Sequence, residues 1–516
     1  MKNKLFMLLC SAMIVLSGCA QSDNSSIRMA DSSSKADQSS IDDGAVVSSD
    51  DRELGFLSMH PEPLAFEERY ASYQKAYPDK TILVWLSEFP VKYEKGLNDH
   101  LYKNGYDYVV CSKNINHYDG SNEPRAQTMK RIIEGGEQID ILESLSRMYG
   151  LDTMSNPYYY QAEQEYLEEL DERLKDERYS EYYNSLPQKF WDSYKYNGHI
   201  YGIDNSFSTL YPDSGYFIDK DALEKAGVTP EELAKSPAEI SDVLKKINKA
   251  TGQKMDYYLA FFTDSFYPAE NITIGIAIKD GKAINVFETQ EALDFYTSVN
   301  KLKDDGIAFI DFGGDTKSGI IDERGSYGIV VDDKLLNRVK VFYRQNNFLR
   351  TPTFTIGVCK NSKNKDMAFD FLMHYMFDKE INNIITYGEK DKDYQIEEDG
   401  SVRIPVNSEG NMFEPDTVHN NPMISLPCYN TLVEIYPRDF YSLYESAEVL
   451  DGVGFLFDAT PVADKYHAVQ NEIQKFSCSA TDVKDKLDRF NQKLRDAGLD
   501  DVLEEINKQL EAFYEK

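Results

Sequence analysis

The sequence predicts an α/β protein built on parallel sheet, and three stretches carry that reading. Thr81-Ile82-Leu83-Val84-Trp85-Leu86 is a continuous apolar run, the pattern of a strand buried on both faces. Residues 106–111 form a second such run and residues 138–142 a third, with helical patterns between them. Strand, helix, strand, helix, strand implies parallel strands joined by right-handed crossovers. In such sheets ligands bind at the carboxyl ends of the strands. Here those ends supply residues 85–89 and 143–146.

The helices between the strands have recognisable ends. Pro90 suits the first position of one helix and Gly105 its stop; Pro124 opens the next, which ends at Gly135-Gly136. Residues 161–200 read as helical, with Leu167, Leu170 and Leu174 at helical spacing. Residues 200–203 and 215–218 read as strands flanking a Pro-containing connection. A helix-rich region follows to about 335, with helices at 237–250 and 290–304. Another α/β set occupies 353–388, and 460–516 read as long amphipathic helices.

A chain of 516 residues exceeds one ordinary core, so two or three packed units are expected. With 41% hydrophobic and 28% charged residues the composition is globular. The net charge of −32 repels nucleic-acid phosphates and anionic headgroups, which makes both poor ligands. Surface acids that keep an exported protein soluble account for most of that charge.

Lys2 and Lys4 precede an apolar stretch at 5–16 that is too short to span a bilayer. Leu16-Ser17-Gly18-Cys19 then resembles a bacterial lipobox. That resemblance implies removal of residues 1–18, a diacylglyceryl thioether on Cys19 and an anchor on the extracytoplasmic face of the cell membrane. The anchored segment 19–60, rich in Ser, Asp, Asn and Gln, reads as a flexible tether with a reach of roughly 35 Å. Cys10 leaves with the signal. Cys111, Cys359, Cys428 and Cys478 are widely spaced and lack metal-site spacing. Buried thiols are expected at Cys111 and Cys359, with a disulfide between them left open.

Several segments occur in an order that resembles one family. They are Gln138-Ile139-Asp140-Ile141-Leu142 after a Gly turn, Leu167 to Leu174 with Leu170-Asp171, and Asn197-Gly198-His199-Ile200-Tyr201-Gly202. Tyr216-Phe217-Ile218-Asp219-Lys220 follows, then Tyr387-Gly388 with Tyr394 and Asp399-Gly400, then Phe455-Leu456-Phe457-Asp458 with Pro461-Val462. Together these resemble the family 1 extracellular solute-binding proteins of bacterial ABC importers, in their sugar-type lipoprotein branch. The resemblance spans about 80–516. It departs at the third-strand exit, Glu143-Ser144-Leu145-Ser146, where many sugar binders carry aromatics.

The resemblance implies a hinged, two-lobe fold of the type II periplasmic-binding-protein kind. The first lobe is expected from 61–205 and 346–400, and the second from 206–345 and 401–516. Function follows as an expectation: capture of a sugar or oligosaccharide by interlobe closure, and delivery to permease subunits, as a monomer without cofactor, metal or catalysis. Sugars present flat apolar faces and rings of hydroxyls, which call for aromatic platforms and carboxylates. The candidate ligand-binding residues are therefore Trp85, Glu88 and Glu143 at strand ends, Asp204 and Tyr211 in the first interlobe connection, and Tyr387 at a helix end. Trp191 is assigned to packing, and Tyr158-Tyr159-Tyr160 to a packed surface patch.

Two other classes remain. No Gly-x-Ser-x-Gly elbow, His-Glu-x-x-His helix or Walker loop occurs, and the seven histidines are scattered. The acidic residues nonetheless leave a glycosidase-like carboxylate pair open, hence a lipid-anchored polysaccharide hydrolase. A sensory or adhesion lipoprotein would reuse the fold without a permease. Asp391, Asp393 and Glu397 to Asp399 lack a calcium-loop register and read as solvated loop.

Overall fold

Nine strands build the two main sheets: β1 (Thr81–Ser87), β2 (Tyr108–Asn114), β3 (Ile141–Glu143), β4 (Ser214–Asp219), β5 (Met255–Tyr257), β6 (Ala308–Ile310), β7 (Ile320–Asp322), β8 (Arg338–Arg344) and β9 (Ile356–Val358). The computed structural model describes residues 66–515 except 88–90, 116–124, 145–155, 205–206, 211–213, 237–238, 258–262, 264–265, 311–319, 323–335, 346, 353, 406–414, 417–418, 430–438 and 477–481. Cys19 and the expected tether lie outside the described residues, as do Glu88 and Tyr211.

The first sheet runs β9-β3-β1-β2. β1 is parallel to both neighbours, with Thr81 opposite Tyr108 and Trp85 opposite Ile141, while β9 returns antiparallel against β3. The apolar run of β1 is buried from Ile82 onward because helices cover both faces of the sheet. One is the helix Glu94–Lys103, which turns Leu97 and Leu101 inward. Its Asn98 ties the helix to β2, donating to the Val110 carbonyl and accepting from the Val110 N–H, both at 2.7 Å. Gly105, at φ +79°, lets the chain leave that helix.

Asp140 explains why an acid precedes the third strand. It is fully buried, and Oδ2 accepts from the Val84 N–H and the Gln138 amide, at 2.9 and 2.8 Å. Oδ1 accepts from the Ser362 hydroxyl and the Asn364 amide. One carboxylate thus joins β1, β3 and the chain just beyond β9.

The second sheet runs β6-β5-β7-β4-β8, with β5 parallel to β6 and β7, and β4 antiparallel to β7 and β8. Its core gathers Tyr216, Ile218, Leu244, Tyr296 and Val299 with Phe455, Phe457, Val502 and Ile506. The expected C-terminal helices are Ala463–Gln474, Val483–Asp496 and Leu499–Tyr514, and they pack here. A separate core belongs to the first sheet. Two cores with two sheets make two α/β lobes.

The structure differs from expectation in three places. Residues 401–447 were expected with the second lobe, yet Phe440, Tyr444 and Ala447 lie in the first core, because Tyr444 packs on Phe190 and Phe207. The final crossing falls near 450. The region 161–200 is broken into short helices and a hairpin, since Asn197 and Gly198, both with positive φ, turn Lys195–Tyr196 back onto His199–Ile200. Tyr158 and Tyr159 are core residues and not a surface patch. The Tyr158 hydroxyl donates to the Tyr194 carbonyl and accepts from the Tyr201 and Gly202 N–H groups, which buries the ring. Trp191 packs as expected, stacked on Tyr183 with centroids 4.7 Å apart.

Candidate functional site: a strand-end ion cluster beside the hinge

Three segments pass between the lobes, and they pair with one another. Ile203 and Ile356 exchange both backbone hydrogen bonds, at 3.0 and 2.7 Å. The Arg350 N–H donates to the Thr209 carbonyl at 2.8 Å, and its guanidinium Nε to the Ser208 carbonyl at 2.9 Å. Phe348–Leu349 also runs parallel to Glu448–Val449. Hinges are a few connecting residues that absorb backbone rotation, and this short three-stranded crossing has that form.

Side chains lock the crossing from both lobes. Asp204 is fully buried and accepts from the Ser208 N–H at 3.2 Å and from the Ser208 hydroxyl. The Ser208 hydroxyl in turn accepts from the Phe354 N–H at 3.3 Å. Thr209 meets the Tyr444 hydroxyl at 2.6 Å. Burial, with the Asp204 carboxylate near, pushes the Tyr194 and Tyr444 phenols well above their ordinary range, so both stay neutral. From the second lobe, buried Glu270 accepts from the Thr351 N–H at 2.9 Å.

Next to the crossing, at the carboxyl ends of β1 and β3, lies a buried ion cluster. His419 Nδ1 is 2.8 Å from Asp416 Oδ2, and His419 Nε2 is 3.4 Å from Glu143 Oε2. The Ser87 hydroxyl donates to the same Glu143 oxygen at 2.6 Å. Asp416 also caps its own turn, accepting from the His419 N–H at 3.0 Å. Burial opposes the imidazolium, but the Asp416 and Glu143 carboxylates outweigh it and push the His419 pKa up to about 10. Burial likewise opposes the Asp416 carboxylate, yet His419, with Lys92 beyond it, holds that pKa below the usual range. Trp85 and Phe354 wall the imidazole, with ring centroids 5.2 and 6.3 Å away.

The predicted site residues divide accordingly. Trp85 and Glu143 come together around His419, both covered by protein. Trp85 is enclosed by Phe371, Tyr375 and His419, and its indole N–H meets no acceptor among the described residues. Asp204 lies in the crossing segment. Tyr387 stands apart, buried against Tyr394 with its hydroxyl donating to the Leu426 carbonyl. One link joins it to the cluster: the Asp416 N–H donates to the carbonyl of the neighbouring Thr386 at 2.8 Å. The sequence reading missed His419, Asp416, Ser208, Arg350 and Glu270. The Asp416-x-x-His419 spacing was the one local signal for the pair, and nothing local pointed to Glu143.

Comparison with known proteins bears on this arrangement. A carbohydrate ABC transporter substrate-binding protein from Streptococcus pneumoniae serotype 4 (strain ATCC BAA-334 / TIGR4) is 22% identical over 413 residues, 73% of this chain and 82% of its own length. The N-glycan transport solute binding protein (NgtS) of Streptococcus pneumoniae superposes with a TM-score of 0.62 at 19% identity, covering 85% of this chain and 100% of its own. The same protein in complex with Man5GlcNAc gives 0.54, over 84% of this chain and 98% of that one, at 19% identity. The chain has the two-lobed fold of the solute-binding proteins.

Within the solute-binding fold, residues 452–515 match a family model described as a domain of unknown function (DUF3502). That stretch starts where the last crossing ends. Phe455 and Phe457 insert into the second core, and Asp458 exchanges backbone hydrogen bonds with the Gln509 side chain at 3.0 and 2.8 Å. Among the described residues no helix is long and apolar enough to cross a membrane.

Proposed function

We propose that the chain is the solute-binding component of an ABC importer, which closes its lobes over an oligosaccharide and hands it to permease subunits. The observation that carries this is the paired three-segment crossing between two α/β lobes, with strand carboxyl ends of the first lobe beside it. The sugar class draws on the relative named for carbohydrate transport and on the N-glycan transport protein solved with Man5GlcNAc.

In this reading the protein binds and does not react. The Asp416–His419–Glu143 cluster is sealed from solvent, where we assign it a shaping role and no contact with substrate. Glu88, which follows β1 directly, and Tyr211, in the first crossing, are proposed as ligand contacts. Trp85, Glu143 and Asp204 are buried and are proposed to hold the site in shape without touching the ligand, and Tyr387 packs apart from it. We further assign a lipid anchor at Cys19, the tether at 19–60 and a monomer at the outer face of the membrane.

A thermal-shift screen of the purified chain against oligosaccharides, peptides and polyamines tests the ligand class, since a ligand that binds only the folded state raises Tm. A rise with glycans alone supports the sugar reading; a rise with peptides or polyamines alone replaces it. Release of reducing ends from a glycan during incubation would return the hydrolase. Palmitate labelling that disappears in Cys19→Ser tests the anchor.

A further inference from the structure

The buried ion cluster and the hinge share residues in a way that packing alone does not require. Glu143 is the last residue of β3, and the next, Ser144, is stapled to the second crossing segment. The Ser144 N–H donates to the Thr355 carbonyl at 2.7 Å, and the Thr355 N–H donates to the Ser144 hydroxyl at 2.6 Å. Phe354, one residue earlier, both walls His419 and holds Ser208 through its backbone. Ser208 is the residue that Asp204 grips in the first crossing. An unbroken chain of contacts therefore leads from Asp416 through His419, Glu143 and Ser144 to Thr355, Phe354, Ser208 and Asp204.

Buried ion pairs add little net stability over an apolar core, because desolvation offsets the attraction. Their better-attested role is to specify one arrangement among near-equals. Here the arrangement specified is the seat of the crossing segment on the first lobe. The imidazolium bridges two carboxylates that belong to distant parts of the chain, Asp416 in the returning C-terminal stretch and Glu143 at the carboxyl end of β3. Removing its charge leaves two buried carboxylates facing each other. The crossing, joined to Glu143 through Ser144, is the element coupled to that change.

We propose that the Asp416–His419–Glu143 cluster is a conformational latch, which fixes the crossing segments 351–356 and 203–209 on the first lobe and so sets how freely the hinge moves. The latch goes beyond the binding reading and rests on it only for the use the hinge serves.

Hydrogen–deuterium exchange of the full-length chain in detergent, without any ligand, tests the latch apart from the identity of the solute. In His419→Gln the amides of Ile203, Arg350 and Ile356 should exchange at least tenfold faster than in the parent. Those of the helix Gln290–Asp304 and of Lys365–Phe377 should rise by a clearly smaller factor than the crossing amides. Glu143→Gln, which keeps size and removes charge, should do the same and stands in should the first variant fail to fold. Crossing amides at parental rates overturn the latch. So does a rise shared equally by Lys365–Phe377, which would make the cluster ordinary core.

Discussion

His419 Nε2 and Glu143 Oε2 lie 3.4 Å apart in a site closed to water, though the two residues are 276 positions apart in sequence. Breaking such a pair by removing one partner strands a charge, at a cost of about 3–5 kcal/mol. His419→Gln should therefore lower the unfolding free energy from urea titration by that measure at pH 7. A change below about 1 kcal/mol would mean that the pair is not ionised.

The same cluster sets a pH dependence. The folded pKa of His419, about 10, lies above the ordinary 6.5, so its contribution is fully present below pH 6.5 and is lost as pH rises through 10. Asp416 has the opposite sign, holding stability near neutrality that goes as pH falls below the carboxylate range. The stability difference between the parent chain and His419→Gln should shrink steadily from pH 6.5 to 10 in denaturant titrations. An unchanged difference across that window contradicts the assignment.

Asp370 gives a second, independent titration. It accepts from the Tyr179 hydroxyl at 2.6 Å and the Tyr108 hydroxyl at 2.8 Å, tying the helix Lys365–Phe377 to β2 and to the short turn Glu177–Tyr179. Burial works against its charge, but His374 and these two phenols hold its pKa down to about 2. Its stabilisation is present above the ordinary 3.8 and is lost as pH falls through 2. Asp370→Asn should cost about 1–3 kcal/mol at neutral pH and flatten the acid limb of the stability curve between pH 4 and 2. Acid unfolding measured by circular dichroism checks both.

Gly388 marks a backbone demand. At φ +81°, a Cβ there would lie 2.4 Å from Asp393 Oδ2 and 2.8 Å from the Tyr93 ring. Gly388→Ala should cost about 3 kcal/mol or more from strain and overpacking together. A loss in Tm of less than about 2 °C would show that the loop repositions freely.

Trp85 separates support from contact. Its ring is enclosed by Phe371, Tyr375 and His419, so Trp85→Phe should lower stability by about 1–3 kcal/mol while leaving the affinity for a stabilising oligosaccharide within about threefold. A direct stacking platform would instead lose tenfold or more in calorimetry.

Much of the fold was legible because its signals are local. The apolar run of β1, Gly105 and Gly135 just past their helices, and the 3.6-residue periodicity of the last helices each depend on neighbours in sequence. Helix Gln290–Asp304 starts and ends where its pattern does. Residues 161–200 misled because leucines at helical spacing need no long helix: Leu167 forms an isolated bridge with Cys359, and Leu170 and Leu174 flank a single turn. The candidate site was less legible. Glu143 ends β3 and Asp204 lies in a crossing, but burial is a tertiary property and neither sequence position announced it. His419 looked like one scattered histidine, since its partner Glu143 is brought to it only by the completed sheet.

The first lobe is assembled from three stretches of chain, the last reaching residue 447, so its β3 edge lacks its buried counter-charge until most of the polypeptide is available. Until then Glu143 has no imidazolium to meet, and Trp85 lacks one of its walls. A chain emerging amino end first thus holds an unfinished lobe while the entire middle portion follows it.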